Sequence, residues 1–188
     1  NRKPCPSVKV SYSPPMKNLV DEHVVSKQFL ELLPALIETL DVDTAEGKRL
    51  VFDCVDFIRS YADRYHHAKE EEMLFSYFDV NLDIIRTMLK DHQQARAHVR
   101  EIISGVEKGN RKSVAHHLKA YGELLAGHIK REDEILYPWM DRSLSMSQVG
   151  KLFSQFNEKN KQFGDSPRHY TKFVESLEKR ILKKEVIS

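Results

Sequence analysis

Cysteine is scarce in this chain. Cys5 and Cys54 are its two cysteines in 188 residues, too few for the dense disulfide framework of a small secreted domain or for a cysteine cluster. They set the expectation of a reducing, cytoplasmic compartment. Cys5, between Pro4 and Pro6, reads as an incidental exposed thiol. No apolar run approaches the roughly 20 residues of a membrane-spanning helix, and the N-terminal stretch lacks the basic-then-apolar layout of a signal peptide. Long runs of one charge sign are missing as well. The 30 basic and 28 acidic residues are interspersed and leave a net +2, which argues against nucleic acid or a membrane surface as partner. Neither a phosphate-binding glycine loop nor a nucleophile motif is present. What remains is an ordinary globular composition, 40% hydrophobic and 31% charged, in a length suited to one domain with a sizeable core.

Residues 1–15 hold four of the seven prolines and read as an extended arm. From about Lys17 to Leu40 the apolar residues Leu19, Phe29, Leu33, Leu36 and Leu40 recur at helical spacing, with Pro34 as an expected kink. Asp43-Thr44-Ala45-Glu46 reads as a capping box that opens a second helix reaching about Phe75. A third is capped by Asp79 or Asn81 and ends near Glu107, where Gly105 and Gly109 interrupt it. A fourth starts at Asn110 or Ser113 and ends near Pro138. The short loops predict an up-down-up-down four-helix bundle over residues 16–141. Ser145-Met146-Ser147-Gln148 is a further capping box, and Ser166-Pro167 opens a last helix with an apolar stripe of Tyr170, Phe173, Val174, Leu177 and Ile181. Residues 142–188 therefore read as a helical extension packed on the bundle or on a second subunit. The fold class expected is all-α.

The stretch around which this frame is organised occurs twice. Tyr65-His66-His67-Ala68-Lys69-Glu70-Glu71-Glu72 is echoed by Gly127-His128-Ile129-Lys130-Arg131-Glu132-Asp133-Glu134. In each, a histidine (His67, His128) is followed four residues later by a glutamate (Glu71, Glu132). Four residues along an α-helix are about 400° of rotation and about 6 Å of rise, so the two side chains share a face. A single histidine precedes each unit, His23 and His92. The order is thus His, then His-x-x-x-Glu, twice over, which places four imidazoles and two carboxylates in a bundle core, a way of building dinuclear metal sites.

These six positions and their order, over residues 16–141, resemble the hemerythrin-like cation-binding domain. Within that family the ligand set is closest to di-iron proteins proposed to repair iron–sulfur clusters under nitrosative or oxidative stress. The resemblance implies two non-haem iron ions bridged by carboxylates and by an oxo or hydroxo group, with manganese or zinc as substitutes. It also implies a protein that reacts with oxygen, peroxide or nitric oxide in stress response or iron handling, with peroxide or nitric oxide consumption, or iron donation, as the candidate activities. The alternative is oxygen or iron binding and sensing without turnover. The expected partners are a small diatomic or peroxide ligand and a redox partner that the sequence does not identify, in a monomer or homodimer. Imidazole and carboxylate together suit iron, and six ligands on two octahedral ions leave positions open, whereas a structural zinc closes with four.

The oxygen carriers of the family have a fifth histidine where this chain has Arg96, so near-equivalent metal positions are expected, favouring redox or repair chemistry. Arg96 is placed near the open side, where it would favour anionic ligands. Tyr121, two turns before His128 on the same face, either lines the metal pocket or is a plain core residue. A second pair, His66 and Glu70, lies one residue out of step. Adopting it would turn the helix by about 100° and take Leu74 and Phe78 off the core face, so the His67–Glu71 register is preferred. His98, His116, His117 and His169 read as surface residues, and Glu22 and Asp91 as solvated acids.

Overall fold

The computed structural model describes residues 11–185, with side chains through Ile181; the expectations for Cys5 and for most of the N-terminal arm lie outside the described residues. Helix α1 spans Pro14–Glu38 and runs through Pro34 without ending. Helix α2 begins at Ala45–Phe57, where the Thr44 hydroxyl accepts from the Gly47 amide, continues through Ile58–His67 and Glu70–Leu74, and closes in a tight turn at Phe75–Tyr77. Helix α3 is Asp83–Glu107. Helix α4 starts at Arg111–Arg131 behind the Asn110 cap and passes through Glu132–Leu136 into Tyr137–Ser143, beyond the end expected near Pro138. Two more follow, α5 (Met146–Phe163), which opens on the Ser145–Gln148 capping box, and α6 (Ser166–Glu185). No strand occurs among the described residues.

Each bundle helix crosses the same three layers. In α1 the order is Met16 and Leu19, then His23, then Phe29, Leu33 and Leu36; in α3 it is Ile85 and Met88, then His92, then Val99 and Ile102. Helices α2 and α4 run the other way, from Val51 and Val55 or Val114 and Leu118, through their histidines, to Leu74 and Phe75 or Leu136 and Met140. Direction therefore alternates, up-down-up-down. The two apolar ends are separate clusters of buried residues, and the histidines form the polar layer between them. The extension packs on the bundle: Leu152 and Phe156 of α5 join the Met16 end, and Val174, Leu177 and Ile181 of α6 join the Phe29 end.

Cys54 is fully buried in the larger cluster, and burial pushes its thiol up to about 12. In a Cys5→Ser chain, a thiol reagent at pH 8 should label Cys54 no faster than the protein unfolds, because the thiolate is the nucleophile. Rapid stoichiometric labelling of the native protein would contradict this packing.

Candidate metal centre

Two groups of donors meet in the polar layer. His67, Glu70, His92 and His128 bring one ligand atom each within 4.8 Å of one another, and His23, His66 and Glu132 do the same beside them. All seven side chains are buried. The Nε2 atoms of His23 and His66 lie 3.0 Å apart, as do those of His92 and His128. Glu132 spans the groups, with Oε1 2.9 Å from His128 Nε2 and Oε2 3.2 Å from His23 Nε2. Glu70 Oε2 lies 3.4 Å from His92 Nε2 and 4.0 Å from His66 Nε2.

The structure brings together five of the expected residues, His23, His67, His92, His128 and Glu132, but not Glu71. The Glu71 carboxylate is a quarter exposed and accepts from His92 Nδ1 at 2.7 Å; Glu70 takes the inward place, and His66 joins as a fifth histidine. The reason is the backbone. Ile58–His67 and Glu70–Leu74 are π-helical, with wider turns than the α-helix, an arrangement that concentrates at functional sites. Each residue in a wide turn rotates less than in an α-turn, so adjacent His66 and His67 both reach the core. The same widening keeps Leu74 fully buried although the register has shifted. Glu132 opens an identical segment, Glu132–Leu136.

With His66 matching His128 and Glu70 matching Glu132, the repeat extends to the residues behind the ligands. Glu22, just before His23, faces Nδ1 of His66 at 2.8 Å; Asp91, just before His92, faces Nδ1 of His128 at 3.2 Å. Asp133, just after Glu132, faces Nδ1 of His23 at 2.7 Å, as Glu71, just after Glu70, faces His92. Each carboxylate is braced by a cation at matching positions: Glu22 by Lys69, Asp91 by Arg131, Asp133 by Lys27 and Glu71 by Arg96 at 2.8 Å. Glu22 and Asp91 are thus buried partners of imidazoles and not solvated acids. An Nδ1–H given to a carboxylate fixes the tautomer and turns the Nε2 lone pair inward, the usual support of a metal-bound histidine.

Arg96 is also corrected. Its guanidinium is held by Glu71 and by Asp63, at 2.9 Å from Nε, so it braces the carboxylates behind His92 and His67 and is not aimed at the donor atoms. Tyr121 is buried and lines a cavity of about 10 Å³ together with His23, His66, His67, His128 and Glu132. That space admits roughly one water-sized molecule. Tyr137 was missed. Its hydroxyl donates to Glu70 Oε1 at 2.7 Å and lies 3.4 Å from Nε2 of both His23 and His66. Its only sequence signal was position, since it falls where the first repeat has Phe75.

The donors fit a metal. Buried polar atoms are nearly always satisfied, yet Glu70 Oε2 and both oxygens of Glu132 have no hydrogen bond although imidazole nitrogens surround them. These atoms converge on shared points between them, as ligands of a cation do. Without a cation the site is electrostatically uneven. Burial works against a charged His23, but Asp133 and Glu132 outweigh it and hold the ring up at about 9; for His128 burial is outweighed by Glu132 and Asp91, giving about 10. Burial and then His23 drive His66 down to about 3, and burial and then His92 drive His67 well below the usual histidine range.

A sequence model of the hemerythrin HHE cation-binding domain matches residues 15–140. The chain belongs to this family. No curated protein and no solved structure matches it. The hemerythrin HHE domain binds metal ions, and the two buried groups are where this chain would hold them. The two groups are unequal, four donors against three, because His67 has Ile129 as its counterpart in the second repeat. The near-equivalence expected from a missing fifth histidine is therefore corrected: this chain supplies one from α2 in place of α3. No helix among the described residues is long and apolar enough to cross a membrane.

Proposed function

We propose that this protein is a non-haem di-iron protein that reacts with oxygen, peroxide or nitric oxide in stress response or iron handling. The observation that carries this reading is Glu132, whose two oxygens reach histidines of the two different groups and which, with Glu70, is suited to bridge a pair of ions. Five imidazoles and two carboxylates suit iron better than softer metals, with manganese or zinc as substitutes. His23, His66, His67, Glu70, His92, His128 and Glu132 would hold the ions, and the cavity beside Tyr121 would have room for one small ligand. Two iron ions would supply electrons and Lewis acidity to that ligand.

The chain's own residues contribute shape and protons. Phe29, Phe57 and Leu125 form the apolar part of the wall of the small cavity. Tyr137 carries a proton at hydrogen-bond distance from Glu70, and burial together with Glu132 and Glu70 holds that phenol far above its usual value. The setting we assign is cytoplasmic, as a monomer or homodimer with a separate electron donor and no nucleic-acid or membrane partner. Iron donation for cluster repair is the narrower form of this reading. The likeness to the repair proteins rests on a set of four histidines, and with both His66 and His67 turned inward this chain has five.

That fifth histidine supports a second reading, oxygen binding or sensing without turnover, because unequal ions are the arrangement found in the oxygen carriers that the family resemblance brought in. The visible spectrum of reduced, iron-loaded protein separates the two as air is admitted and then withdrawn. A charge-transfer band that persists until reductant is added is the result expected for redox chemistry. A band that disappears under vacuum would assign binding or sensing, and no iron-dependent band at all would overturn the di-iron reading.

A further inference from the structure

A second cavity, of about 330 Å³, lies between α2 and α3 on the outer side of His67. Burial sorts its walls: His67, Tyr121, Ile58 and Val99 form a buried floor, while Arg59 and Arg100 are exposed at the mouth. His67 and Tyr121 also line the small cavity against the donor groups, so these two side chains are the partition between the two spaces. Four charged groups face the cavity. Arg96 and Asp63 are paired with each other at 2.7 Å, whereas Arg59 and Arg100 have no acidic partner among the described residues. The cavity thus offers two guanidiniums without an acidic partner among the described residues, above a buried floor of Ile58, Val99, Tyr121 and His67.

The repeat shows that this is particular to one side. The positions matching Arg100 and Arg59 are Glu31 and Tyr121, and the groove between α1 and α4 on that side carries five carboxylates against three lysines. Of these two faces, the one that carries the extra histidine is arginine-rimmed. Guanidinium binds carboxylate in a planar two-point geometry, and a few convergent charges over an apolar wall are the usual build of a small-molecule site.

We propose that this cavity binds a small organic carboxylate with an apolar body, its charge held by Arg59 and Arg100 and its body lying on Ile58, Val99 and Tyr121 against His67. Binding stands on the cavity alone; that the occupant adjoins iron rests on the proposed function. The test is fluorine NMR of 4-fluorobenzoate titrated with the protein, iron-loaded and metal-free. Saturable broadening in both forms, stronger in the iron-loaded form, is expected, with formate competing at least tenfold more weakly than benzoate. The Arg59→Gln/Arg100→Gln variant should weaken binding at least tenfold with iron content and melting temperature unchanged, and Ile103→Trp, which narrows the cavity from its half-buried rim, should do the same. Absence of saturation, or equal binding by both variants, would overturn the proposal. Arginine-dependent binding by a protein that takes up no iron would leave it standing and remove the di-iron reading instead.

Discussion

Replacing Glu70 by Gln should strip the protein of at least one metal ion, whereas Glu71→Gln should keep both and hold them less tightly. Glu70 is wholly buried with an unsatisfied oxygen among the imidazoles of His66, His67, His92 and His128; Glu71 is partly exposed and pairs with His92 and Arg96. Losing a carboxylate that supports a ligand histidine typically costs about tenfold to a hundredfold in metal affinity, and losing a ligand costs more than that. Metal content after gel filtration, followed by competition against a chromophoric chelator, resolves the two outcomes. Should Glu71→Gln empty the site while Glu70→Gln leaves it full, the regular α-helical register would be the working one and the π-helical face described above would be wrong.

Removing the metal should destabilise the fold strongly, and more so as pH rises from 6 to 8. A ligand at about 1,000 times its dissociation constant stabilises the folded state by about 4 kcal/mol, which for a chain of this size is a melting shift of roughly 8–16 °C. The pH dependence follows from the imidazoles. In the metal-free protein His23 and His128 sit above their unfolded value of about 6.5. The stability they lend is complete below that value and is lost as pH rises toward about 9 and 10. His66 and His67 are depressed, so their contribution is present above about 6.5 and is lost as pH falls. Metal ligation requires all five rings neutral. Uptake at pH 7.5 should therefore release protons from His23 and His128, and the metal-bound form should begin to fail as pH drops through about 6. Calorimetric melting of loaded and metal-free protein at pH 6, 7 and 8 measures the gap. A gap that narrows toward pH 8 would contradict the protonation pattern.

Much of this was legible in the sequence because it depends on spacing. Helical periodicity, the Thr44, Asn110 and Ser145 caps and the short loops carry the bundle and its alternating directions, and the repeated His-x-x-x-Glu carries the metal layer. The choice between His66–Glu70 and His67–Glu71 was not legible, since both fit the assumption of a constant 100° per residue and only a local widening of the backbone brings both histidines inward. Glu22, Asp91 and Lys69 were unreadable for a different reason. Their burial depends on partners on other helices: Glu22 can be buried because His66 and Lys69 arrive from α2 to pair with it. Tyr137 required knowing that α4 continues past Glu132 into the lower core.

The crossing of partners between repeats has a mechanical consequence. One group takes His67 and Glu70 from the first repeat and His92 and His128 from the second; the other takes His23 and His66 from the first and Glu132 from the second. Neither helical hairpin can hold an ion by itself. A bound pair of ions would thus be a reversible cross-link between residues more than a hundred positions apart, such as His23 and Glu132, closing a long loop as a disulfide would in an oxidising compartment. In a chain whose described cysteine is sealed in the core, metal supply would then take the part that oxidation plays elsewhere, deciding whether the two hairpins come apart separately or only together.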